Sequence, residues 1–526
     1  MRAELRDALE FLYSDSQVRD MPCMSMTLDV ARGGTASVHV LLNGLTPGDT
    51  IRTRVTRRGQ PIRRPAWFRL VDVPVEVNTG PAGFVEKEGE QNPYVIRRAP
   101  FRVCDAMEPV ESSLQATAPT MALRLHLAVA PDARAGTQDA AIEVRAAGKS
   151  LSFGLTIRVH GAAIPPVGRE SFFYTNWFSL KLMAERHGLS VWSEAHWRMI
   201  RRYADLMARA RQNTFWVVLE EVFDAQDPQL PLNRPRLRRL VKTFTAAGLH
   251  YIEGGHVASR TGGDWNAKTF DVAFPKVQAT SPAGNAALAR IAGQLMEEIR
   301  TNRWGGRWIQ HVTDEPTADN AADYRILTGM VRKYMPAIPI LDATMDPALV
   351  GSVDIWCPQA QEFQRHREAF EAQRAVGDHV WFYTCCFPGG PWLHRLLDME
   401  LLRPALFGWG AALFRLEGFL HWGLNHYRPE QDPFRQSVVG HGESNRLPAG
   451  DTHVVYPGTD GPWSSVRLEA QREGFEDLEL LRRLQARRPA RAAAIIRKAI
   501  RGFDDYTKDV AEFRRARRDL LRASAF

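Results

Sequence analysis

Two adjacent carboxylates follow a short apolar segment in the middle of the chain. The segment runs from Trp308 to Thr313, and Asp314, Glu315 and Pro316 come directly after it. We interpret it as a buried β-strand that ends on the two acids and is closed by the proline. In a barrel of parallel strands, catalytic groups lie at the carboxyl ends of the strands. Two carboxylates at such a place are suited to the cleavage of a glycosidic bond.

The two acids have different tasks only if their surroundings differ. Side chains alternate along a regular strand, so Asp314 and Glu315 both face one opening only if the chain leaves the strand geometry at this point. Neighbouring carboxyl groups in unequal surroundings lose their protons at different pH values. A glutamic acid that keeps its proton near neutral pH serves as a general acid on a leaving oxygen.

The region around the pair alternates between strand-like and helical segments. This alternation predicts parallel strands with crossover helices, and the length from about 170 to 425 suits a (β/α)8 TIM barrel. A doubly wound open sheet is the alternative, but no Gly-x-Gly-x-x-Gly sequence follows a strand. Helices are predicted at 194–211 and 286–301, and strands at residues 171–178, 213–220, 250–255, 307–314, 338–344, 353–359, 378–385 and 418–424.

The first part of the chain has a different pattern. From about 25 to 160, apolar residues alternate with polar ones, as in 123–129 and 151–159, which predicts an antiparallel β-sandwich. Residues 161–168 contain two prolines and two glycines and indicate a boundary. We therefore expect a sandwich domain over 1–162, a catalytic barrel over 169–445, and a C-terminal segment over 446–526. The pattern predicts that most of 426–470 is loop and that the chain from about 465 onward is helical.

Composition limits the classes of protein. A chain of 526 residues is too long for one hydrophobic core. No apolar run is long enough to span a membrane, and the first residues lack the pattern of a signal peptide. We expect a cytoplasmic protein, unless a leader has been removed. Five cysteines without paired spacing support neither a zinc site nor a disulfide framework, and four histidines lack the spacing of metal ligands: His250, His256, His379 and His394. No cofactor or metal is predicted.

The net charge of +8 is concentrated at the C-terminus. Residues 481–526 contain 14 Lys or Arg and only 5 Asp or Glu, interleaved with apolar residues at helical spacing. This pattern indicates the solvated face of terminal helices rather than a site for nucleic acid. We expect no nucleic-acid partner and no membrane span; the sequence does not indicate the oligomeric state.

Tryptophans are concentrated in the predicted barrel. All of the 14 tryptophans except Trp67 follow residue 170. Indole rings pack against the apolar face of a sugar and equally fill the space between a barrel and its helices. Four of them lie at or near predicted strand ends and are candidates for sugar contacts: Trp177, Trp356, Trp381 and Trp422.

An ordered set of motifs resembles glycoside hydrolase family 123 and its relatives of unknown function. The motifs are His311–Pro316, Val353–Pro358, Gly418–Asn425, Gly450–Gly458, Ser465–Glu469 and Arg472–Asp477. Together they extend the resemblance over roughly 120–485. The first 100 residues contain no matching motif. The resemblance implies a β-sandwich followed by a (β/α)8 barrel, with an Asp-Glu pair at the end of a middle strand.

The resemblance also implies an activity. It is that of a retaining β-N-acetylgalactosaminidase, in which the 2-acetamido oxygen of the substrate attacks the sugar and forms an oxazolinium ion. Glu315 would be the general acid and then the base, while Asp314 would accept the acetamido N–H. Tyr383 is a candidate to hydrogen-bond the acetamido oxygen. Candidates to line the sugar pocket of this glycan or glycoconjugate substrate are Trp177, Glu220, His256, Gln359, Trp422 and Asn425.

Two other functions stay open at this point. The first is a glycosidase for another sugar, with Glu315 as acid/base and Glu220, Asp354 or Glu417 as a nucleophile about 5 Å away. The second is a carbohydrate-binding barrel without catalysis. The sequence does not indicate the linkage, exo or endo action, or the natural polymer.

Overall fold

The computed structural model describes residues 1–57, 60–61 and 65–525. Within this part, the chain is a mixture of β-sheets and α-helices. The N-terminal strands are β1 (Arg2–Asp7), β2 (Ser25–Arg32), β3 (Thr35–Asn43), β4 (Thr50–Arg57), β5 (Gln60–Pro61), β6 (Ala66–Val75), β7 (Phe101–Val110), β8 (Ser113–Gln115), β9 (Thr120–Ala128), β10 (Gly136–Ala146) and β11 (Lys149–Ala163).

These strands form two sheets that share a hydrophobic core. One sheet has the order β1-β3-β9-β6-β7 and the other β2-β11-β10-β4-β5. The alternating apolar side chains of β3, β9, β10 and β11 fill the space between them, for example Val40, Leu123, Ile142 and Phe153. Most pairs are antiparallel, as the alternation predicts, but β2 runs parallel to β11.

The middle of the chain provides two sheets of parallel strands. Its strands are β12 (Phe173–Asn176), β13 (Thr214–Val217), β14 (Tyr251–Gly254), β15 (Ala258–Arg260), β16 (Phe270–Val272), β17 (Trp308–Gln310), β18 (Leu341–Asp342), β19 (Ile355–Trp356), β20 (His379–Thr384) and β21 (Gly418–His421). The parallel orders are β13-β14-β17 and β18-β19-β20-β21-β12, and β15 pairs with β16 in a short hairpin.

A parallel bridge between Gln310 and Ile340 joins the two sheets, so that they form a curled wall. Each of the eight predicted strand segments contains one of the parallel strands. The structure therefore confirms the alternation of strands and helices. Closure of the wall into a complete (β/α)8 barrel stays a prediction.

Helices follow most of these strands. They are α1 (Leu180–Arg186), α2 (Glu194–Arg209), α3 (Leu219–Val222), α4 (Arg234–Ala247), α5 (Pro282–Thr301), α6 (Ala321–Tyr334), α7 (Ala360–Arg365), α8 (Arg367–Ala375) and α9 (Leu402–Phe414). Local sequence explains their ends. In α4, the Asn233 side chain accepts a hydrogen bond from the backbone N–H of Arg236, and Gly248 ends the helix with a φ of 118°.

The C-terminal part is more ordered than the sequence predicts. Its elements are β22 (Val439–His441), β23 (Asn445–Leu447), β24 (Tyr456–Gly458), β25 (Gly461–Ser465), α10 (Val466–Arg487), α11 (Pro489–Ile496) and α12 (Val510–Ala523). Most of 426–470 lies outside helices and strands, as predicted, but the segment also contains these four short strands, and β25 pairs with β7 and extends an N-terminal sheet. This pairing joins residues far apart in the chain, which no local pattern reveals.

The basic C-terminus is only partly a solvated surface. Arg514 pairs with Asp7 at 2.6 Å and also with Glu473, while Arg517 pairs with Asp477 at 3.0 Å. Both guanidinium groups are largely buried, so the expectation of a solvated face is wrong for them. These cations hold α12 against the N-terminal strands and α10. In the described part of the chain, no helix combines the length and apolar character needed to cross a membrane.

Candidate active site

A cavity of about 990 Å³ opens beside the carboxyl ends of the parallel strands. Asp314 and Glu315 line it together with Gln359, Tyr383 and the aromatic rings of Trp177 and Trp422. Both residues of the sequence-predicted pair therefore line the same cavity.

The chain turns sharply at Glu315. This residue has a φ of 44°, a left-handed conformation that non-glycine residues rarely adopt. Asp342 helps to hold the approach to the turn, because its carboxylate accepts hydrogen bonds from the backbone N–H groups of Val312 at 3.1 Å and Thr313 at 3.5 Å. Strained backbone of this kind is found where the surrounding structure fixes it, often at active sites. The turn lets both neighbouring carboxylates line the cavity, as the sequence analysis required.

Arg260 fixes the same turn from the other side. Its guanidinium donates to the backbone carbonyl of Asp314 at 2.9 Å and to that of Glu315 at 2.6 Å. The indole ring of Trp265 lies 3.8 Å from the guanidinium carbon and also lines the cavity. Arg260 was not among the residues predicted from the sequence. The only local signal is an arginine at the end of β15, and its partners are more than 50 residues away.

Tyr383 and Gln359 form a hydrogen-bonded chain to the general-acid candidate. The Tyr383 hydroxyl donates to Oε1 of Glu315, and the Gln359 amide donates to the Tyr383 oxygen at 3.1 Å. Tyr383 is buried and Glu315 is partly buried. The structure thus joins three of the residues predicted from the sequence in one hydrogen-bonded chain.

The Glu315 carboxyl group has an unusual proton affinity. Burial and the neighbouring Asp314 charge raise its pKa to about 7, whereas the hydrogen bond from Tyr383 and the charge of Arg260 lower it. Near neutral pH, a substantial fraction of Glu315 is therefore protonated, which a general acid requires. Asp314 is exposed to the cavity.

A buried network lies close to the carboxylate pair. The His311 ring contacts Glu253 at 2.7 Å and Asp342 at 3.0 Å through its two nitrogens. Burial alone would lower the pKa of His311, but these two carboxylates raise it to about 9. The two carboxylates therefore favour the doubly hydrogen-bonded imidazolium form of His311. Glu253 also accepts the indole N–H of Trp177 at 2.8 Å and so fixes that ring.

The same network contains a set of possible metal ligands. Ligand atoms of His256, His311 and Asp342 lie within 4.8 Å of one another. The sequence spacing gave no sign of this set. Because each nitrogen of His311 already faces a carboxylate, the donor set fits a bound proton better than a cation.

Two of the four tryptophan candidates line the cavity. Trp177 stacks on Trp216 with ring centroids 4.5 Å apart, and the indole N–H of Trp422 donates to Asp451 at 3.3 Å. The other two expectations are wrong: Trp356 and Trp381 are fully buried core residues. The Trp356 side chain packs against Phe370 of α8, with ring centroids 6.0 Å apart. Trp381 shares a face of β20 with Tyr383 but lies two residues before it, where it stacks on Phe173 with ring centroids 5.1 Å apart.

Three other predicted pocket residues lie outside the cavity lining. Asn425 is fully buried, and its amide bonds the backbone N–H and carbonyl of Ser179 at 2.9 and 3.0 Å. Glu220 is exposed in the first turn of α3. His256 packs edge-on against Trp177 with ring centroids 5.3 Å apart. His256 therefore packs against a residue of the lining, whereas Asn425 fixes the segment that follows β12 and Glu220 lies on the exposed surface of α3.

The alternative nucleophiles also lie elsewhere. Asp354 pairs with Arg332 at 2.8 Å, and Glu417 pairs with His379 at 2.6 Å. Both acids precede their strands, at the end opposite to the cavity. Glu362 does line the cavity, but it pairs with Arg365 at 2.8 Å.

The N-terminal part of the chain supplies one wall of the cavity. Pro81, Ala82 and Phe84 line it, although the sequence analysis gave this part no role in the site. The Asp398 carboxylate anchors the segment, since it accepts hydrogen bonds from the backbone N–H of Thr79 at 2.7 Å and from its hydroxyl at 2.8 Å. The cavity is therefore completed by residues about 300 positions apart.

Comparisons with known proteins agree with this architecture. Residues 259–484 match the family model "Glycoside hydrolase 123, catalytic domain". Among solved structures, a family 123 glycoside hydrolase from Clostridium perfringens, described in a study of glycolipid glycan hydrolysis, aligns with a TM-score of 0.74 and 13% identity. The alignment covers 100% of this chain and 96% of that one. At this identity, the likeness shows a shared fold.

Other solved structures align less well. A β-glucuronidase from Parabacteroides merdae aligns with a TM-score of 0.32 and 10% identity over 85% of this chain and 50% of that one. A putative β-galactosidase from Bacteroides fragilis aligns with a TM-score of 0.33 and 12% identity, over 89% of this chain and 62% of that one. A search of curated proteins found no match. Residues 259–484 therefore match the catalytic domain of glycoside hydrolase family 123, and the whole chain shares the fold of a solved member of that family.

Proposed function

We propose that this glycoside hydrolase is a retaining β-N-acetylgalactosaminidase that uses the 2-acetamido group of its substrate as the nucleophile. The observation that carries the proposal is the adjacent pair in one cavity, with Asp314 exposed and the pKa of Glu315 raised to about 7. Substrate-assisted glycosidases are the exception to the rule of two separated carboxylates, because no protein carboxylate attacks the sugar.

The first step breaks the glycosidic bond. Glu315 gives its proton to the glycosidic oxygen, and the electron pair of the carbon–oxygen bond leaves with the aglycone. The acetamido oxygen attacks the anomeric carbon at the same time and closes the oxazolinium ring. Asp314 accepts the acetamido N–H and stabilises the positive charge that develops there.

Tyr383 orients the attacking group. Its hydroxyl donates to the Glu315 carboxylate in the structure. When Glu315 is protonated, this hydroxyl is free to donate to the acetamido oxygen, while Gln359 holds the tyrosine oxygen in place. In the second step, Glu315 takes a proton from water, and the resulting hydroxyl reopens the ring with overall retention.

The eight parallel strands support a barrel as the scaffold of this chemistry. We infer closure of the wall because strand β12 lies beside both β21 and the start of β13. The backbone N–H of Asn213 donates to the Tyr174 carbonyl at 3.3 Å, and the Asn213 side chain accepts from the Tyr174 N–H at 3.0 Å. The Asp314–Glu315 pair then lies at the carboxyl face, where barrel enzymes place their catalytic groups.

Hydrolysis of methylumbelliferyl glycosides tests the proposal. We expect the wild type to cleave the β-N-acetylgalactosaminide, and Glu315→Gln and Asp314→Asn to lose about 100- to 10,000-fold in kcat/KM. The corresponding β-galactoside, which lacks the acetamido group, should not be cleaved. Replacing acetyl by trifluoroacetyl should slow the reaction, because the carbonyl oxygen becomes a weaker nucleophile.

Other outcomes would point elsewhere. Cleavage of the β-galactoside at a comparable rate would contradict substrate assistance and favour a protein nucleophile. Binding of the sugar without turnover, undiminished in Glu315→Gln, would favour a carbohydrate-binding barrel. The Arg201→Gln variant, which changes an exposed ion pair of α2 outside the cavity lining, is the matched control.

A further inference from the structure

One cation in the cavity wall lacks a partner. Arg428 follows strand β21 and lines the cavity, and its Nε is shielded from solvent without a hydrogen-bond partner. Within residues 1–57, 60–61 and 65–525, no acidic side chain forms an ion pair with its guanidinium. A charged group that is partly removed from water and left unpaired costs free energy. This arrangement therefore indicates a site for an anion that arrives with the ligand.

Arg365, the second arginine of the cavity lining, differs from Arg428 because it has an acidic partner. Arg365 donates to the Glu362 carboxylate at 2.8 Å, so its charge is already balanced. Both arginines face the same cavity, but only the Arg428 guanidinium is available to a bound molecule.

The His441 ring of the cavity lining lies close to Arg428. Partial removal from water lowers the pKa of His441, and the positive charge of Arg428 lowers it further. His441, Asn445 and Trp422 belong to the same lining. The buried carboxyl of Asp451, which accepts the Trp422 N–H, lies within the electrostatic range of Arg428 but not at ion-pair distance. The hydrogen-bonded set around Glu315 contains no contact to Arg428.

We propose that Arg428 binds a carboxylate or sulfate group of an anionic glycan and so selects acidic substrates over neutral ones. The proposal deepens the hydrolase function above and rests on it. A guanidinium suits this task, since its planar N–H groups match the oxygens of a carboxylate or sulfate in a two-point contact. The negative group would displace water from the cavity wall and form an ion pair with the Arg428 guanidinium.

Calorimetric titration of the non-hydrolysing Glu315→Gln protein tests the proposal. The ligands are three disaccharides with the same linkage: N-acetylgalactosaminyl-glucose, N-acetylgalactosaminyl-glucuronate, and a sulfated N-acetylgalactosaminyl-glucose. We expect at least one anionic ligand to bind about 10- to 100-fold more tightly than the neutral one. The preferred ligand distinguishes a carboxylate site from a sulfate site.

Variants assign the preference to one residue. Adding Arg428→Gln should reduce the ratio of anionic to neutral affinity to about one, whereas Arg428→Lys, which keeps the charge, should retain part of it. Arg201→Gln is the matched control and should leave the ratio unchanged, because it removes an exposed cation of α2 outside the cavity lining. Binding of the neutral ligand serves as the internal reference for correct folding of each variant.

Three results would overturn the inference. Equal affinity for all three ligands would remove it while leaving the hydrolase proposal intact. A preference that survives in Arg428→Gln would assign the anion to another residue. Binding of none of the ligands would contradict both proposals, since both require this sugar in the cavity.

Discussion

At the scale of single residues, the chemistry depends on the surroundings of Glu315. Two influences raise its pKa, namely burial and the charge of Asp314, and the Tyr383 hydroxyl lowers it. The result, about 7, places the loss of the proton inside the working pH range of many enzymes. An ordinary exposed glutamate would be ionised there and could not act as an acid.

This environment predicts the pH dependence of the reaction. A general acid must be protonated, so kcat/KM should fall as the pH rises through about 7. In Tyr383→Phe the hydrogen bond that favours the ionised form is lost, and the descending limb should move to higher pH. The maximal kcat should also fall, by about 100-fold, because an oriented donor is removed.

A pH–rate profile of both proteins provides the measurement. Tyr334→Phe is the control, since the hydroxyl of Tyr334 on α6 bonds Asn285 outside the cavity lining. A limb that stays at the same pH, or moves to lower pH, in Tyr383→Phe would contradict this account of the Glu315 proton.

At the scale of elements, the turn after β17 is as important as the acids it presents. The Asp342 carboxylate accepts hydrogen bonds from backbone N–H groups just before the turn. The Arg260 guanidinium donates to the two carbonyls of the turn, where Glu315 adopts a positive φ. A conformation of this kind costs on the order of 1–3 kcal/mol and persists only where neighbours fix it. The two groups come from different strands, so the turn depends on the sheet around it.

Loss of the Arg260 contacts should therefore affect catalysis more than binding. In Arg260→Met we expect kcat to fall about 10- to 100-fold with a smaller change in KM, because the acid is displaced from its reactive position. Arg307→Met is the control. Arg307 directly precedes β17 and donates to the His250 carbonyl at 2.6 Å, at the end of the strand opposite to the cavity. Steady-state kinetics of both variants would reveal the difference. Equal losses in the two would mean that general stability, not the turn, is affected.

At the scale of the whole molecule, the N-terminal sheets and the parallel strands form one connected structure. Arg467 at the start of α10 pairs with Asp105 of β7 at 2.9 Å and donates to the carbonyls of Arg395 and Gly450. Both partners of the ion pair are fully buried. Because an N-terminal segment also forms a cavity wall, the two parts must keep one relative position for the site to exist.

Removal of one partner of this pair should destabilise the protein strongly. In Asp105→Asn, the buried guanidinium loses its counter-charge, and the free energy of unfolding should fall by about 3–5 kcal/mol. Asp205→Asn removes the exposed partner of Arg201 in α2 and should cost less than about 0.5 kcal/mol. Urea unfolding of the two variants gives the comparison. Similar stabilities would show that the buried pair does not hold the parts together.

Local sequence determined much of the fold and the centre of the site. Apolar segments with helical spacing between them revealed all eight parallel strands, because strand and helix periods are properties of neighbouring residues. The same reasoning selected Asp314 and Glu315, whereas Gln359 and Tyr383 were selected by the family resemblance together with their places near strand ends. All four line the cavity. Their roles in catalysis stay predictions.

The remaining features depended on contacts between distant residues. No local pattern shows that Arg260 reaches the Asp314 carbonyl, that β25 extends an N-terminal sheet, or that Asn425 turns to Ser179 instead of the cavity. Nor does it show that the Arg428 guanidinium lacks an ion-pair partner among the described residues, because pairing is decided by which charges the fold brings close. Sequence determined which groups lie at strand ends. Tertiary structure decided which of them share a cavity, since burial, strain and charge pairing exist only once the chain is packed.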